Sequence, residues 1–363
     1  MAEVEKVLER AAAGERLSRE EGETLLAQAD LLALGRAAHA ARRRRHPEPV
    51  VTYVVDRNIN YTNVCTVRCR FCAFCRPPGH RESYVLTRDE LLAKVRETVA
   101  AGGTELLIQG GLHPDLPLDF YLDMLRAIKE RWDIHIHSFS PPEIAHLADM
   151  TGLTDRAVLQ RLREAGLDSL PGGGAEILVD RVRNLVSPGK IGTARWLSVM
   201  RDAHALGMRT TATMMFGHRE TPAERVEHLL RIRELQDETG GFTAFIPWSY
   251  QSGRTALGGR EATAHDYLRT LAVARLVLDN VPNLQVSWVT QGAKVAQVAL
   301  FFGANDFGST MLEENVVRAA GVNYRISREE IHRVIAAAGF AWARRDTAYR
   351  ILERGGGGLD RAR

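Results

Sequence analysis

Cys65, Cys69 and Cys72 stand in a C-x-x-x-C-x-x-C spacing, and Cys75 follows three residues later; these are all four cysteines of the 363-residue chain. Confined to eleven positions, they make one local site and cannot staple distant parts of a fold, which points to a cofactor loop rather than a disulfide framework. Three thiolates from one short loop would leave one corner of a four-iron cluster without a cysteine, and an iron with an open position can bind a substrate. A structural zinc site needs a closed four-ligand set, for which Cys75 could be the fourth ligand. An electron-transfer ferredoxin wants four cysteines per cluster on a small domain, and this chain is far longer.

Other residues with chemical potential recur at intervals. Gly110-Gly111, Ser140, the Gly172-Gly173-Gly174 run with Glu176, Gly217-His218, Trp248, Gln291 and Asn305 each fall just after a short apolar run. Bare glycine backbone admits close approach of a charged ligand. Glu176 reads as entering a helix N-terminus, where a carboxylate is electrostatically comfortable. Ser140 faces a site or caps the helix that begins at Pro141. His135 and His137 have a two-residue metal-ligand spacing, but no third ligand is near in sequence, and packing inside the fold is the plainer reading.

The elements that would position these residues alternate. Residues 50–55, 105–109, 134–137, 168–170, 210–215, 242–247 and 284–289 read as strands, and helical periodicity fills the intervals, including 193–206, 222–238, 263–279 and 292–302. Such alternation over some 250 residues argues for a parallel sheet with crossover helices. The recurrence of chemical residues after the strands favours a TIM-type (β/α) barrel, complete or partial, over an open sheet. Residues 1–47 read as an N-terminal helical extension whose Arg42 to Arg45 run is a solvated helix end. The barrel spans 48–325, a C-terminal helix and closing segment 326–354, and 355–363 is a flexible tail. Ile326-Ser327-Arg-Glu-Glu330 reads as a capping box.

Composition bounds the partners. A formal net charge of +3 gives no strongly basic surface for nucleic acid. No signal-peptide pattern and no apolar run near the roughly 18 residues of a spanning helix are present, so a cytoplasmic protein with no membrane partner is expected.

With Phe71 directly before the third cysteine, the cysteine loop resembles the signature of the radical S-adenosylmethionine (SAM) enzymes. Gln109 to Pro114, His135 to Pro141, Pro171 to Ile177 and Phe216-Gly-His218 carry the resemblance to the group that includes the menaquinone-pathway radical enzymes and the deazaflavin synthases. Phe245 to Gln251, Ser287 to Gly292 and Phe302 to Asn315 are similar to the dehypoxanthine futalosine cyclases. Aminofutalosine synthases, a close alternative with the deazaflavin synthases, typically have Leu in place of Trp248 and His in place of Gln251. The resemblance covers about residues 45–350. Cys75 stands where relatives often have Tyr, and Ser252 and Ala293 replace expected prolines.

The resemblance implies a [4Fe-4S] cluster on Cys65, Cys69 and Cys72, SAM as consumed co-substrate, and Cys75 without a role. It implies SAM contacts from Phe71, Gly110, Gly111, Ser140 and Glu176. The substrate implied is dehypoxanthine futalosine, met by Trp248, Gln251, Asn305 and Ser309, with a flavodoxin- or ferredoxin-type electron donor. A hydrogen atom leaves ribose carbon 4′, the carbon radical closes on the aromatic ring, and loss of a proton and an electron restores aromaticity. His218 and Glu314 are the candidate bases. A non-catalytic iron–sulfur or zinc-binding barrel is the distant alternative.

Overall fold

Strand β1 (Val50–Val54) runs through a bend at Val55 into β2 (Asp56–Ile59), so the strand expected over 50–55 fills β1 and its continuation enters a second sheet. This is a computed structural model that describes residues 2–356. From β2 the chain lays down β3 (Glu105–Ile108), β4 (His135–Ser138), β5 (Ser169–Leu170), β6 (Arg209–Phe216), β7 (Phe242–Ser249) and β8 (Asn283–Leu284) in sequence order, every pair parallel. Helices such as Arg88–Ala100, Leu118–Lys129, Thr193–Ala205 and Pro222–Thr239 return the chain between strands, as parallel pairing requires. The second sheet has the order β11-β10-β1-β9, from β9 (Asp306–Ser309), β10 (Ala341–Arg345) and β11 (Ile351–Gly355).

Both seams between the sheets are hydrogen-bonded. Asn305 N–H donates to the Leu284 carbonyl at 3.1 Å and Val286 N–H to the Asp306 carbonyl at 3.0 Å, which ties β9 to β8. On its other edge β9 pairs with β1, and Thr310 and Leu312 continue the ladder onto Val54 and Asp56. The seven-stranded parallel sheet is thus curled into a half-barrel, as the α/β barrel expectation allowed, and β9 with β1 of the second sheet bridges its two edges.

Local chemistry sets the helix ends. Pro222–Thr239 starts with Pro at its first turn under a Thr221–Glu224 capping box and stops at Gly240, whose φ of 62° is left-handed. Apolar faces such as Trp196, Val199 and Met200 are buried against the barrel, each large side chain contributing about 1.5–3 kcal/mol. Three helices, Ala2–Ala13, Arg19–Gln28 and Leu31–Arg45, precede the barrel.

Four expectations need correction. The strand expected over 284–289 ends at Leu284, because Trp288 opens the next helix with its indole N–H on the Ser309 carbonyl at 2.8 Å. Arg42 is not solvated: it is 1% exposed and donates to the Ala304 and Val50 carbonyls at 3.1 and 2.8 Å, fastening the N-terminal helices to the barrel. Ser327 caps Glu330 N–H, but the Glu330 carboxylate turns to Arg333, so the box is half made. Of the tail expected at 355–363, Gly355 instead ends β11, and residues 357–363 lie outside the described residues.

Candidate active site

The cysteine loop leaves the C-terminal end of β2 and is pinned at its base. Cys65 N–H donates to the Arg76 carbonyl and Arg76 N–H to the Asn63 carbonyl, at 2.9 and 2.8 Å. All four cysteines are free and half-buried. Among the described residues no three His, Cys, Asp or Glu side chains are drawn together as a metal-binding group. Cys72 Sγ instead accepts the Cys75 N–H at 3.4 Å. The Cys75 contact draws the Cys72 thiol down to about 6, while burial pushes Cys69 up to about 11. Lys190 approaches the loop from outside it, its ammonium 5.1 Å from the centre of the Phe71 ring. Three unpaired thiols beside a lysine are a donor set that suits an anionic three-thiolate iron–sulfur cluster.

The glycine edge lies against that loop. A Cβ on Gly111 would fall 2.1 Å from the Val64 carbonyl oxygen, and one on Gly110 2.3 Å from the Tyr61 ring. The N–H groups of both are already spent, Gly110 on Glu143 at 3.0 Å and Gly111 on the Thr62 carbonyl at 3.1 Å. What this edge offers a charged ligand is carbonyl oxygen, which suits an ammonium group. Ser140 makes no capping bond; its hydroxyl donates to Glu143 at 2.6 Å. Glu143 also accepts from Tyr61 at 2.8 Å, and burial pushes its carboxyl up to about 7. Sequence reasoning missed Glu143, whose only signal was its place one turn after Ser140.

Glu176 does not enter a helix: the next one starts at Asp180, and Glu176 sits in a turn with a φ of 42°. Its side chain is buried, 2.8 Å from the Lys190 ammonium and 3.4 Å from Arg183. Burial would raise this carboxyl, but Lys190 and Arg183 outweigh it and hold it below its ordinary value.

Inside the barrel, below these loops, is a cavity of about 280 Å³. Its wall includes Gln109, Gly173 and Glu176 at the top, Trp248 and Trp288 on the sides, and Glu314 and Ser309 toward β9. Toward the opposite end it is lined by Asp56, Glu105, His137, Arg345, Thr347 and Tyr349. None of these last six was expected as a site residue. The only available signal was the alternation of polar side chains within Asp56-Arg-Asn58 and Glu105, which in a barrel strand points inward.

The sequence candidates divide accordingly. Glu176, Trp248, Ser309 and Glu314 share the cavity wall, and the Ser309 hydroxyl donates to Asp56. Glu314 is half-buried and its oxygens accept three backbone N–H groups, from Val316, Val317 and Arg318, each at 2.9 Å. His218 is a poor base here: its side chain is wholly covered, Nε2 donates to the Met215 carbonyl at 2.9 Å and Nδ1 accepts Arg219 N–H at 2.7 Å. Gln251 lies off the cavity wall with its amide nitrogen bound to Ser249 at 3.0 Å. Asn305 is corrected outright. It precedes β9 instead of following a strand, at the far end of the barrel, where it joins Arg275, Asn283 and the Leu284 N–H at 2.7, 2.8 and 2.9 Å. His135 and His137 share the Ser169 hydroxyl, at 2.7 and 2.6 Å, and burial pushes His137 down to about 3.

Comparison with known proteins matches two families in tandem. Residues 59–232 match the Radical SAM superfamily and 239–355 the CofH/MqnC C-terminal region. The cyclic dehypoxanthine futalosine synthase of Halalkalibacterium halodurans is 48% identical over 351 residues, 96% of this chain and 95% of that protein. Its namesake from Streptomyces coelicolor is 46% identical, covering 97% and 89%. The 5-amino-6-(D-ribitylamino)uracil–L-tyrosine 4-hydroxyphenyl transferase of Archaeoglobus fulgidus is 45% identical, covering 86% and 91%. Among solved structures the hydrogenase maturase HydG of Carboxydothermus hydrogenoformans superposes with a TM-score of 0.77 at 17% identity, covering 96% of this chain and 81% of its own. Methylornithine synthase (PylB) does so with 0.71 at 18%, covering 92% and 96%. These two likenesses speak for the fold alone.

Proposed function

We propose that this chain, which belongs to the radical SAM superfamily and within it to the family that cyclic dehypoxanthine futalosine synthases share with the tyrosine 4-hydroxyphenyl transferases, closes dehypoxanthine futalosine into its spiro-cyclic product. It is a radical SAM enzyme, and its cofactors are a [4Fe-4S] cluster and SAM. When bound and reduced, the cluster supplies the electron that splits SAM into methionine and a 5′-deoxyadenosyl radical.

Cys65, Cys69 and Cys72 hold the cluster, with Lys190 balancing its charge. The carbonyls of Gly110 and Gly111 take the SAM ammonium, on an edge that Glu143 fixes through Ser140, Tyr61 and the Gly110 N–H. Glu176 and Phe71 flank the same ligand. The futalosine occupies the lumen between Trp248 and Trp288, with Ser309 in reach of its polar atoms. The chain's task is positional: it holds ribose carbon 4′ near the radical source and keeps other hydrogen donors out.

The observation that carries this reading is 48% identity along nearly the whole of both chains, the barrel and the C-terminal region alike. A second reading is favoured by the transferase relatives at 45% identity, in which tyrosine would be the substrate. Anaerobic incubation of the reconstituted enzyme with dithionite, SAM and either dehypoxanthine futalosine or tyrosine with the ribitylaminouracil separates them. Cyclic product with 5′-deoxyadenosine in the first mixture supports the cyclase; a hydroxyphenyl adduct in the second alone refutes it. Flavodoxin or ferredoxin is the electron donor of this reading, and the cytoplasm its place; among the described residues no helix is long and apolar enough to cross a membrane.

A further inference from the structure

Restoring the aromatic ring in this reaction releases one proton inside the lumen of the barrel. Most acidic or basic groups on or near the cavity wall are already committed. Glu176 is paired with Lys190 and Arg183. Glu314 is held by three N–H groups, and Asp306 by Arg345, Thr52 and the Gly308 N–H. His137 donates or accepts at Ser169 and is pushed down to about 3 by burial, so it makes a weak base.

Glu105 is different. It is 5% exposed, it lines the cavity, and among the described residues no hydrogen-bond donor reaches its carboxylate. It faces Asp56 across the β2–β3 ladder and His135 across β3–β4, neighbours one strand spacing away, about 4.8 Å. Asp56 is 4% exposed, hydrogen-bonded by Ser309, and pushed up to about 7 by burial and then by Glu105. Arg345 and Tyr349 approach from below, both within the field of Glu105. The Thr347 hydroxyl, at the same end of the cavity and 9% exposed, also has no partner among the described residues. A buried carboxylate without a donor is costly unless a ligand completes it.

We propose that Glu105 is the base of the cyclisation, taking the proton from the ring carbon that has just been attacked, with Asp56 as the positioning residue beside it. This rests on the cyclase reading above. The carbon–carbon bond forms first and leaves a cyclohexadienyl radical. The carbon–hydrogen bond then breaks, its proton going to Glu105 and the remaining electron to a one-electron acceptor of iron–sulfur type. The carbonyl-bearing arm of the substrate folds so that the attacked ring lies toward the floor, below the sugar.

The test compares the reconstituted wild type with Glu105→Gln and Asp56→Asn, each checked for iron content and thermal melting. In Glu105→Gln, binding of dehypoxanthine futalosine by tryptophan quenching and first-turnover 5′-deoxyadenosine stay at wild-type level. Cyclic product falls by roughly 100-fold or more, the span of general-base catalysis, and an organic radical accumulates in freeze-quenched paramagnetic resonance spectra. Asp56→Asn keeps substantial product but slows its formation. Cyclic product within about threefold of wild type in Glu105→Gln overturns the assignment, as does a fall of binding, 5′-deoxyadenosine and product together, which marks a role in binding alone. If the wild type itself gives no 5′-deoxyadenosine with this substrate, the cyclase reading fails and the assignment with it. That failure shows in the wild-type arm and is distinct from a failure confined to the variant.

Discussion

Arg345→Met should be among the most damaging single substitutions outside the cysteine loop. Arg345 is 4% exposed; its Nε and Nη2 meet the two Asp306 oxygens at 2.5 and 3.1 Å, and its Nη1 meets the Asp346 carbonyl at 3.1 Å. Burial alone would lower the guanidinium, but Asp306 outweighs it and keeps it charged. Methionine preserves much of the volume but strands Asp306, which is fully buried, with only the Thr52 hydroxyl and Gly308 N–H as donors. Removing one partner of a buried pair costs about 3–5 kcal/mol, most of it from the charge left behind. At about 2.1 cal/mol/K of unfolding entropy per residue, this chain length turns that cost into a melting decrease of roughly 4–7 °C. Adding Asp306→Asn should recover most of it, because the stranded charge is then gone and only ordinary hydrogen bonds are missing. Calorimetry of the reconstituted wild type, both single variants and the double variant reads this directly. A single variant that melts with the wild type, or a double variant as damaged as the two singles summed, would refute the argument that the ion pair closes the barrel floor.

Three further outcomes follow from the site. Cys75→Ser should keep wild-type iron and its visible absorption after reconstitution, whereas serine at Cys65, Cys69 or Cys72 should abolish both; iron loss from the Cys75 variant would make it a ligand. Gly111→Ala should cut iron uptake, since the new Cβ meets the Val64 carbonyl at 2.1 Å; Gly152→Ala, at a φ of 69° with open space around it, should cost only about 1 kcal/mol and leave uptake intact. Glu143, raised from 4.5 to about 7, favours its protonated form in the folded state. Its contribution is therefore fully present below pH 4.5 and lost as pH rises through about 7, a change of up to about 3 kcal/mol. Urea midpoints of the wild type relative to Glu143→Gln should fall across that window, and a pH-independent difference would contradict the assigned cause.

The alternation that announces a barrel was legible because each strand and its return helix are local in sequence. The cysteine loop was legible for the same reason, its four thiols lying within eleven consecutive positions after β2. What escaped was whatever depends on register. Asp56 and Glu105 are 49 positions apart and become neighbours only through the β2–β3 pairing. Arg345 reaches Asp306 because β10 and β9 flank β1. Asn305 was misjudged through a displaced strand: the apolar run to Val289 looks extended, yet Trp288 anchors to Ser309 and starts a helix, so the barrel strand begins at Asp306 and Asn305 falls at its wrong end. Glu176 was located but its backbone was not, since a left-handed glutamate is a tertiary outcome that no local propensity signals.

The bend at Val55 has a consequence for how the molecule is made. Because β1 pairs with β10, the floor of the lumen, begun by Asp56, Glu105 and His137, is completed only by the far-downstream stretch Arg345 to Tyr349, while the cysteine loop above it comes from residues 65–75. On the ribosome the cysteine loop and most of the ring emerge long before the vessel they serve has a bottom. Until the segment from residue 341 is in place, Asp306 lacks its Arg345 partner and that end of the lumen stays open, so sealing of the reaction space waits on the pairing of β10 with β1.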